Sequence, residues 1–570
     1  MLVILINWLY IGITTFLTGY AILGLFVQLF DYKVKHTVSY FLAGLVFATV
    51  YAQIYSLFAG VSIMANVLLC VLCMGIAVWK RKELALFLKV KMMEWKQQSW
   101  KVWFGVILLL LMAYGTSRGY MHFDTSLYHA QSIRWIEEYG VVPGLANLQS
   151  RFGYNSSTFA LTALYSMKYV FGQSLHAVAG FVALISSFIA LGISDVFTDK
   201  KVRLSDFARI GLLFYLSVIF GEMMSPASDY YAMLFLFDIL ILWLSEDEFQ
   251  KEEQKRNATP YGMLCVLLVC AVTIKFSVAP LLLLVIKPAV ILLKKKDIKQ
   301  IVFFLLSGLM VCVPFFIRNV IISGWLIYPS TIIDLFSVDW KLPKGQVEYD
   351  AAEIGIYGKG ITDVTLIGTP FWEWFPNWFE NLKALEKLFV LMTFIAIICG
   401  VIYTVILIVR KYIQKRIVDF NFSFIFVTFT VSTVFWFVSA PLIRYGYAYV
   451  VAMPLVTFGF FYLRIMEQRW IQPYVDRIHF IFCGVVVLFL LTRVKGVGEN
   501  ILRSYHQPYY IHQMDYEDGD AVTRVVDGIV FYVPTDRALI GYEKFPSSVF
   551  PWPIELRGDT IEDGFRQIKE

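Results

Sequence analysis

Charged residues are scarce in this chain of 570 residues: Asp, Glu, Lys and Arg together make up only 16%. Soluble domains typically contain about 25% charged and roughly 45–50% apolar residues. Here 58% of the residues are hydrophobic, and the mean hydropathy is +0.66. This composition excludes a water-soluble enzyme of this size, a disordered chain and a fibrous repeat. Apolar runs long enough to cross a bilayer recur along most of the sequence, which predicts a polytopic helical membrane protein.

Cysteine is absent from every long polar segment, because all seven cysteines lie inside apolar runs. The sequence therefore indicates neither a disulfide framework nor a cysteine-based metal site. The net charge is only +6, and the basic residues fall in short clusters between apolar runs. That pattern is typical of membrane topology and not of a nucleic-acid-binding protein. The N-terminal MLVILINWLY has no cationic region and no small-residue cleavage site, so we interpret it as a retained first span.

The lengths of the apolar runs and the charges between them predict an all-α polytopic fold of about fourteen transmembrane helices. The predicted spans are residues 3–30, 37–58, 60–79, 102–118, 174–197, 207–221, 230–245, 260–276, 278–293, 300–317, 388–409, 419–438, 447–464 and 478–493. Four basic clusters, at residues 80–101, 200–203, 294–296 and 410–416, fall on one side and should be cytoplasmic. Both termini are then extracytoplasmic.

Residues 156–171 are apolar enough to pass for a further span, but counting them as a crossing would invert every later loop. We therefore interpret them as an interfacial or re-entrant helix. The predicted architecture is a transmembrane domain over residues 1–493 and a small soluble extracytoplasmic domain over residues 494–570. Two further extracytoplasmic segments interrupt the transmembrane domain, a first loop at 119–155 and a long loop at 318–387.

The first loop carries an acidic residue, Asp124, that could take part in catalysis. Asp124, Thr125 and Ser126 can cap the start of an amphipathic helix whose apolar residues recur at helical spacing. The helix N-terminus would favour an ionised Asp124 at the water–lipid boundary, and such a carboxylate can accept a proton from a substrate hydroxyl. On spacing alone, the simpler interpretation is that Asp124 only caps the helix. His122 and His129 lie nearby, but two histidines indicate a metal only weakly, and histidines of an interfacial loop are usually surface residues.

Further charged residues are predicted to lie at the same membrane face although they are far apart in sequence. They are Asp229 at the start of the seventh span, Lys275 at the end of the eighth, Arg318 with Asn319 at the end of the tenth, and Arg444 between the twelfth and thirteenth. Arg and Lys at that face suit the oxygens of a lipid-linked phosphate. Each residue taken singly also fits a snorkelling or capping role at a helix end. The hypothesis of a phosphate site rests on all of them facing the same side.

Asp238 lies in the middle of a predicted span, in MLFLFDILILWL, where an ionisable group must face a partner or a cavity. Lys287, in LLLLVIKPAV, is the candidate partner, and a buried structural ion pair is the preferred interpretation. The alternative is a proton or ion relay, which would indicate a transporter.

Several segments resemble known families. The order of the predicted elements resembles that of the GT-C superfamily of integral membrane glycosyltransferases. A span is followed by a loop with an acidic residue just past the membrane, then by interfacial helices that end in Phe-Gly, and then by a run of short spans. The stretch from Arg318-Asn319 to Tyr328-Pro329 is similar to a segment of its protein mannosyltransferase and aminoarabinose transferase branches, with Ser323 in place of Thr. A closer resemblance is to a bacterial family that tends to be found among polysaccharide biosynthesis genes. It is carried by the segments HFDTSLYHAQSIRWIEEYGVVPGLANLQSRFGYNSS, SAPLIRYGY and IELRGDTIEDGF.

The resemblance implies a GT-C-like bundle that transfers a sugar from a polyprenyl-phosphate or polyprenyl-pyrophosphate donor to a cell-envelope glycan or lipid-linked acceptor. The reaction would take place at the extracytoplasmic face of the bacterial cell membrane. Asp124 would act as the base on the acceptor or hold it, and Arg318, Arg444 and Lys275 would bind the donor phosphate. Many members carry a second acidic residue in this loop, and His122 stands at that place here. The resemblance therefore allows a divalent metal, but this sequence does not indicate one. The remaining candidates for substrate binding are His122, Tyr128, His129, Asp229 and Asn319.

Three hypotheses about function stay open at this point. A glycosyltransferase would add single sugars or polymerise lipid-linked repeat units. A flippase or transporter of a lipid-linked or small polar substrate should show duplicated halves and broken helices that meet at the midplane, and the sequence shows neither. A non-catalytic scaffold for an envelope-assembly complex is favoured only by the C-terminal domain.

Overall fold

The computed structural model describes residues 1–97, 99–252, 257–535, 539–548 and 553–568, most of which are helical. The first helices are α1 (Leu2–Phe30), α2 (Val38–Ser56), α3 (Ile63–Trp79), α4 (Arg81–Gln97), α5 (Ser99–Ser117), α6 (Ala130–Glu138), α7 (Ser157–Tyr165), α8 (Lys168–Phe171), α9 (Val178–Ala190), α10 (Asp195–Thr198), α11 (Leu204–Ile219) and α12 (Ser228–Glu252). The later helices are α13 (Gly262–Ile274), α14 (Ile286–Lys295), α15 (Ile298–Ser323), α16 (Lys344–Gly358), α17 (Phe371–Asn381), α18 (Ala384–Tyr412), α19 (Asn421–Ser439), α20 (Ile443–Met466) and α21 (Val475–Ser504).

Many of these helices have the length and composition that a bilayer requires. Within the described ranges, eleven helical segments are long and apolar enough to cross a membrane, or twelve if the bent pair α3–α4 forms one span. A segment of about 20 apolar residues matches the thickness of the hydrocarbon core. The chain is therefore mostly helical, as predicted, and has the make-up of a polytopic membrane protein.

Eleven of the fourteen predicted spans coincide with these segments, in which 3-10 turns extend α9 toward Thr198 and α14 back to Phe276. The other three fall on shorter or bent helices. The span predicted at 207–221 corresponds to α11, which has 16 residues, and that predicted at 260–276 to the apolar helix Thr259–Ile274. The span predicted at 60–79 corresponds to α3, which meets α4 at an angle of 82°. For these three, the length and composition of a single helix do not by themselves support a crossing.

The centre of the bundle is α12, whose side chains from Asp229 to Leu244 are all buried. Helices α9, α11, α13 and α20 pack around it. Elsewhere, small residues bring backbones together: a Cβ atom on Gly44 of α2 would overlap the carbonyl oxygen of Thr15 on α1. Small residues at helix contacts are typical of membrane bundles, where close packing replaces the hydrophobic effect between helices.

Asp238, in the middle of α12, does not pair with Lys287, so that prediction is wrong. The Ser186 hydroxyl on α9 donates a hydrogen bond of 2.8 Å to the Asp238 carboxylate. Lys287 Nζ instead lies 2.5 Å from Asp247 Oδ1. Asp247 is about 13 Å further along α12, at ~1.5 Å per residue. The sequence pattern does not fix the depth at which Lys287, in the first turn of α14, meets α12.

The segment after α5 carries Asp124. The chain turns over residues 118–122, becomes helical at residues 123–124, forms a π-helical turn at Thr125–His129 and continues directly into α6. Residues 156–171 then form α7 and α8, which end at Gly172 with φ +70°. The nine residues of α7 are all buried and are too few to cross a bilayer. The interfacial or re-entrant placement of this segment stays a prediction.

The C-terminal region forms two small sheets after α21, which continues past the predicted boundary at residue 494. Strand β1 (Ala521–Val526) pairs antiparallel with β2 (Ile529–Pro534), and β3 (Ile554–Leu556) pairs antiparallel with β4 (Phe565–Gln567). Asp527 and Gly528, with φ values of 47° and 83°, form the tight turn of the first hairpin. An Asp-Gly turn with two positive φ angles matches the twist of the strands it joins.

The C-terminal region rests on the segment that follows Asp124. The backbone amides of Ile540 and Gly541 both donate to the Ser126 carbonyl oxygen, at 3.0 and 2.9 Å. The guanidinium of Arg134, on α6, donates to the Tyr542 carbonyl oxygen at 2.7 Å. These contacts tie the C-terminal region to the π-helical turn and to α6.

Candidate functional site

Four charged side chains from four distant segments meet at one end of the bundle. Asp124 precedes the π-helical turn, and Asp229 lies in the first turn of α12. Lys275 follows the last residue of α13, and Arg444 lies in the first turn of α20. All four are therefore at helix ends, where the chain leaves or enters the bundle. We refer to Asp124, Arg444, Asp229 and Lys275 as the charged cluster.

The members of the charged cluster alternate in sign. Arg444 Nη2 donates a hydrogen bond of 2.9 Å to Asp124 Oδ2. On its other side, Arg444 Nε lies 2.8 Å from Asp229 Oδ2, and Lys275 Nζ donates to the second oxygen of Asp229. Two carboxylates and two cations thus form one chain of contacts, in which the formal charges cancel and each charge offsets the cost of burying its neighbour.

Asp124 does not cap the helix, so the simpler interpretation from the sequence is wrong. No hydrogen bond joins its side chain to the backbone of the following turn, and its own φ and ψ of −61° and −20° are already helical. A capping residue normally has an extended backbone, which lets its side chain reach the amides of the first turn. The carboxylate of Asp124 is instead directed toward Arg444.

Electrostatic contacts keep Asp124 ionised. Burial by itself would raise the pKa of the Asp124 carboxyl, but the neighbouring Arg444 guanidinium outweighs burial and lowers that pKa below its usual value. About a quarter of the side chain, 25%, stays exposed. The Asp124 carboxylate is therefore an ionised proton acceptor that is partly exposed.

His122 lies beside this carboxylate as a neutral ring. Its Nδ1 atom accepts a hydrogen bond of 3.1 Å from the Asp124 backbone amide, so the lone pair of that nitrogen is already in use. Burial, followed by Arg444, lowers the pKa of the imidazole. His122 Nδ1 is 3.4 Å from Asp124 Oδ2. The ring therefore fixes the backbone of Asp124 and adds no positive charge beside the carboxylate.

His129 is an interior residue and not the surface histidine that the sequence suggested. Only 2% of it is exposed, and its Nδ1 lies 3.3 Å from the Thr125 hydroxyl, which in turn is 2.6 Å from that of Ser225. Burial lowers the pKa of His129 to about 3. The Tyr128 ring packs edge-on against it, with 4.3 Å between centroids. His129 and Tyr128 therefore support the π-helical turn from within.

Arg318 and Asn319 do not join the charged cluster. Arg318 Nε donates to Asn155 Oδ1 at 3.0 Å, and Arg318 Nη1 donates to the Ser56 hydroxyl. Asn319 Oδ1 accepts from Asn155 Nδ2 at 3.1 Å, and both Arg318 and Asn319 are 2% exposed. The sequence predicted that the tenth span ends at these residues and that a long loop begins there. In the structure α15 continues to Ser323, and both side chains are buried. Their contacts are those of residues that fix helix packing.

Tyr445 is a site residue that the sequence reasoning missed. Its hydroxyl lies 3.3 Å from Arg444 Nη2, and the Lys275 ammonium is 3.4 Å from the centroid of its ring. A cation over an aromatic face is stabilised by the ring quadrupole. The signal was present in SAPLIRYGY, where Tyr445 directly follows Arg444. Within the described residues, no group of three or more His, Cys, Asp or Glu side chains could hold a metal ion.

The family comparison covers all members of the charged cluster. A family model described as domain of unknown function DUF8201 matches residues 1–451, more than half of the chain. The chain belongs to this family. The DUF8201 match ends seven residues after Arg444, so the two C-terminal sheets lie outside it. No curated protein and no solved structure is significantly similar to the chain.

Proposed function

We propose that this protein is a GT-C-type glycosyltransferase. It moves a sugar from a polyprenyl-phosphate or polyprenyl-pyrophosphate donor to a cell-envelope glycan or lipid-linked acceptor, at the extracytoplasmic face of the bacterial cell membrane. The observation that carries the proposal is the charged cluster, in which an accessible, ionised Asp124 is hydrogen-bonded to Arg444 at 2.9 Å. The resemblance of the first loop to the GT-C superfamily supports the same role for Asp124.

In this proposal Asp124 is the general base. An acceptor hydroxyl donates its proton to the carboxylate while its oxygen attacks the anomeric carbon of the donor sugar. The bond between that carbon and the phosphate oxygen breaks, and its electron pair leaves with the phosphate through an oxocarbenium-like transition state. A single displacement of this kind inverts the configuration at the anomeric carbon.

The two cations of the charged cluster are the proposed phosphate ligands. Arg444 and Lys275 both contact Asp229, which holds their side chains in place, and they are 18% and 20% exposed. Oxygens of a donor phosphate can replace some of these contacts, since each of these cations can bind a phosphate oxygen in place of a carboxylate oxygen. Cations at the leaving group stabilise the negative charge that develops there. Arg318, which the resemblance assigned to the same task, is left out because its guanidinium is engaged with Asn155 and Ser56.

The transporter hypothesis loses its main support. It depended on Asp238 and Lys287 acting together as a proton or ion relay in the middle of the membrane, and Lys287 pairs with Asp247 instead. Polymerisation of lipid-linked repeat units uses the same proton transfer and the same phosphate leaving group, so it remains a variant of the proposed chemistry.

The test is mass spectrometry of lipid-linked and surface glycans from cells with the gene deleted and from the same cells complemented with the wild-type gene. We expect deletion to remove one sugar, or the polymer, from the surface glycan and to leave the sugar-loaded donor lipid in the extracytoplasmic leaflet. A donor lipid trapped in the cytoplasmic leaflet would support a flippase instead. Identical glycans and identical lipid-linked intermediates in both strains would contradict the proposal.

A further inference from the structure

Helix α4 packs against the first two helices of the bundle, α1 and α2. It begins where α3 ends, with an angle of 82° between the two helices, so it turns away from the direction of α3. Leu84 is buried, and the Phe87 ring lies 5.5 Å from that of Phe16 on α1 and 5.7 Å from that of Tyr40 on α2. One face of α4 is thereby fixed against the bundle, and the rest of the helix is left uncovered by protein.

The charge of this segment is strongly positive and mostly unpaired. Residues 80–101 contain seven Lys and Arg residues and two Glu residues. Both acidic side chains already have a partner: Glu83 is 2.9 Å from Lys80, and Glu94 is 2.7 Å from Lys91. Of the seven basic residues in this segment, five form no ion pair with any residue that the structure describes. They are Arg81, Lys82, Lys89, Lys96 and Lys101.

Three of these lysines form a line along the exposed side of α4. Lys82, Lys89 and Lys96 are spaced seven residues apart, and seven residues advance a helix by nearly two full turns. Their line therefore lies on one side of the helix, opposite Leu84 and Phe87, and all three side chains are exposed. This arrangement presents three ammonium groups along about 21 Å, at ~1.5 Å per residue.

Apolar side chains flank the lysine line on both sides. Leu86 is 63% exposed, Leu88 51%, Met93 50% and Trp95 57%. Lysine stems can lie along such apolar surface while the ammonium groups reach polar surroundings. An exposed helix with apolar, aromatic and lysine side chains is typical of a segment that lies in a membrane interface.

We propose that α4 binds the headgroups of anionic phospholipids, with Lys82, Lys89 and Lys96 against the lipid phosphates. Two observations favour lipid over a protein partner. Exposed apolar side chains also cover the neighbouring helices α3 and α5, of which α5 is long and apolar enough to cross a membrane, and exposed tryptophans mark both junctions, Trp79 at 65% and Trp100 at 53%. Tryptophan and lysine together are enriched at the boundary between hydrocarbon and headgroups. The proposal does not depend on the enzymatic function.

The test is a native mass spectrometry titration of the full-length protein with phosphatidylglycerol, and with phosphatidylcholine as the neutral comparison. The variant combines Lys82→Gln, Lys89→Gln and Lys96→Gln. We expect its Kd for phosphatidylglycerol to rise at least fivefold, since one lysine near an anionic surface is worth about 1 kcal/mol, a factor of about five. The Kd for phosphatidylcholine should not change, and the corresponding triple Lys→Arg variant should bind phosphatidylglycerol like the wild type.

A matched control combines Lys294→Gln, Lys295→Gln and Lys296→Gln, which removes the same charge from the end of α14. We expect this control to keep wild-type affinity for phosphatidylglycerol. An equal loss of affinity in the control would show that net charge and not α4 governs binding, and it would overturn the proposal. Unchanged affinity in the α4 variant would overturn it as well.

Discussion

The carboxylate of Asp124 and the guanidinium of Arg444, which are 320 residues apart in sequence, are joined by a hydrogen bond of 2.9 Å. Arg444 also lies 2.8 Å from Asp229, so one guanidinium links two carboxylates that come from different helices. Because Arg444 draws down the pKa of Asp124, the two residues act as a functional pair in the proposed reaction. Changes at either position should have different and measurable effects.

Replacing Asp124 by Asn should abolish sugar transfer while the protein still accumulates in the membrane. Asn keeps the size and polarity of the side chain but cannot take a proton, and general-base help is typically worth about 10²–10⁴-fold in rate. The measurement is the amount of glycan product in cells that express each variant at equal levels. Asp363→Asn is the matched control, because Asp363 is an exposed acidic residue far from the cluster in sequence. Full glycan production by Asp124→Asn would remove the base assignment.

Replacing Arg444 by Ala should shift the pH dependence of the reaction. Without the guanidinium, the pKa of Asp124 rises, so the base stays ionised only at higher pH and the acidic limb of the rate profile moves to higher pH. Donor use should also fall by about 10- to 100-fold, because hydrogen bonds to charged groups are worth about 1.5–3 kcal/mol. The measurement is the rate of sugar transfer as a function of pH with purified protein.

Arg444→Lys is the conservative comparison for that experiment. Lysine keeps the positive charge but cannot contact Asp124 and Asp229 through two nitrogens of one planar group. We expect its acidic limb to stay close to that of the wild type while donor use still declines. An unshifted acidic limb in Arg444→Ala would show that Arg444 does not control the ionisation of Asp124.

Lys287→Met should destabilise the protein more than Asp238→Asn. Lys287 is the partner of Asp247, and its loss leaves that carboxylate with only the Tyr261 hydroxyl, at a cost of about 1–3 kcal/mol. Asn at position 238 retains an acceptor for the Ser186 hydroxyl and has the same size. The measurement is the thermal unfolding temperature in detergent. The opposite order of stability would favour the Asp238–Lys287 pair that the sequence suggested.

His176→Phe should make the protein less sensitive to acid. Burial lowers the pKa of His176 to about 4 from a usual value of 6.5, so the unfolded chain binds a proton first as the pH falls. Stability is therefore fully present above pH 6.5 and decreases toward pH 4, by at most about 1.4 kcal/mol per pH unit for this residue. Phenylalanine cannot titrate and can keep the ring contact with Tyr516, now 4.3 Å between centroids. An equal drop in unfolding temperature between pH 7.5 and pH 5 in both proteins would rule out this role.

Much of the fold could be predicted from sequence because the bilayer imposes a simple length rule. Apolar runs such as 300–317 and 388–409 marked α15 and α18, since only a continuous helix satisfies its backbone hydrogen bonds in hydrocarbon. The same rule does not decide whether residues 207–221 cross, because α11 has 16 residues and a typical span has about 20. It gave no information about which face of a helix a charged residue takes.

Sequence by itself determined that the chain is helical, apolar and basic in short clusters, because these properties depend on composition and local spacing. It also identified Asp124, Asp229, Lys275 and Arg444 as residues at helix ends. Only the tertiary structure decided that these four meet, that Arg318 packs against Asn155 and Ser56 instead, and that Lys287 pairs with Asp247. Partner choice depends on the depth and rotation of helices in the bundle, which are set by side-chain packing between segments hundreds of residues apart.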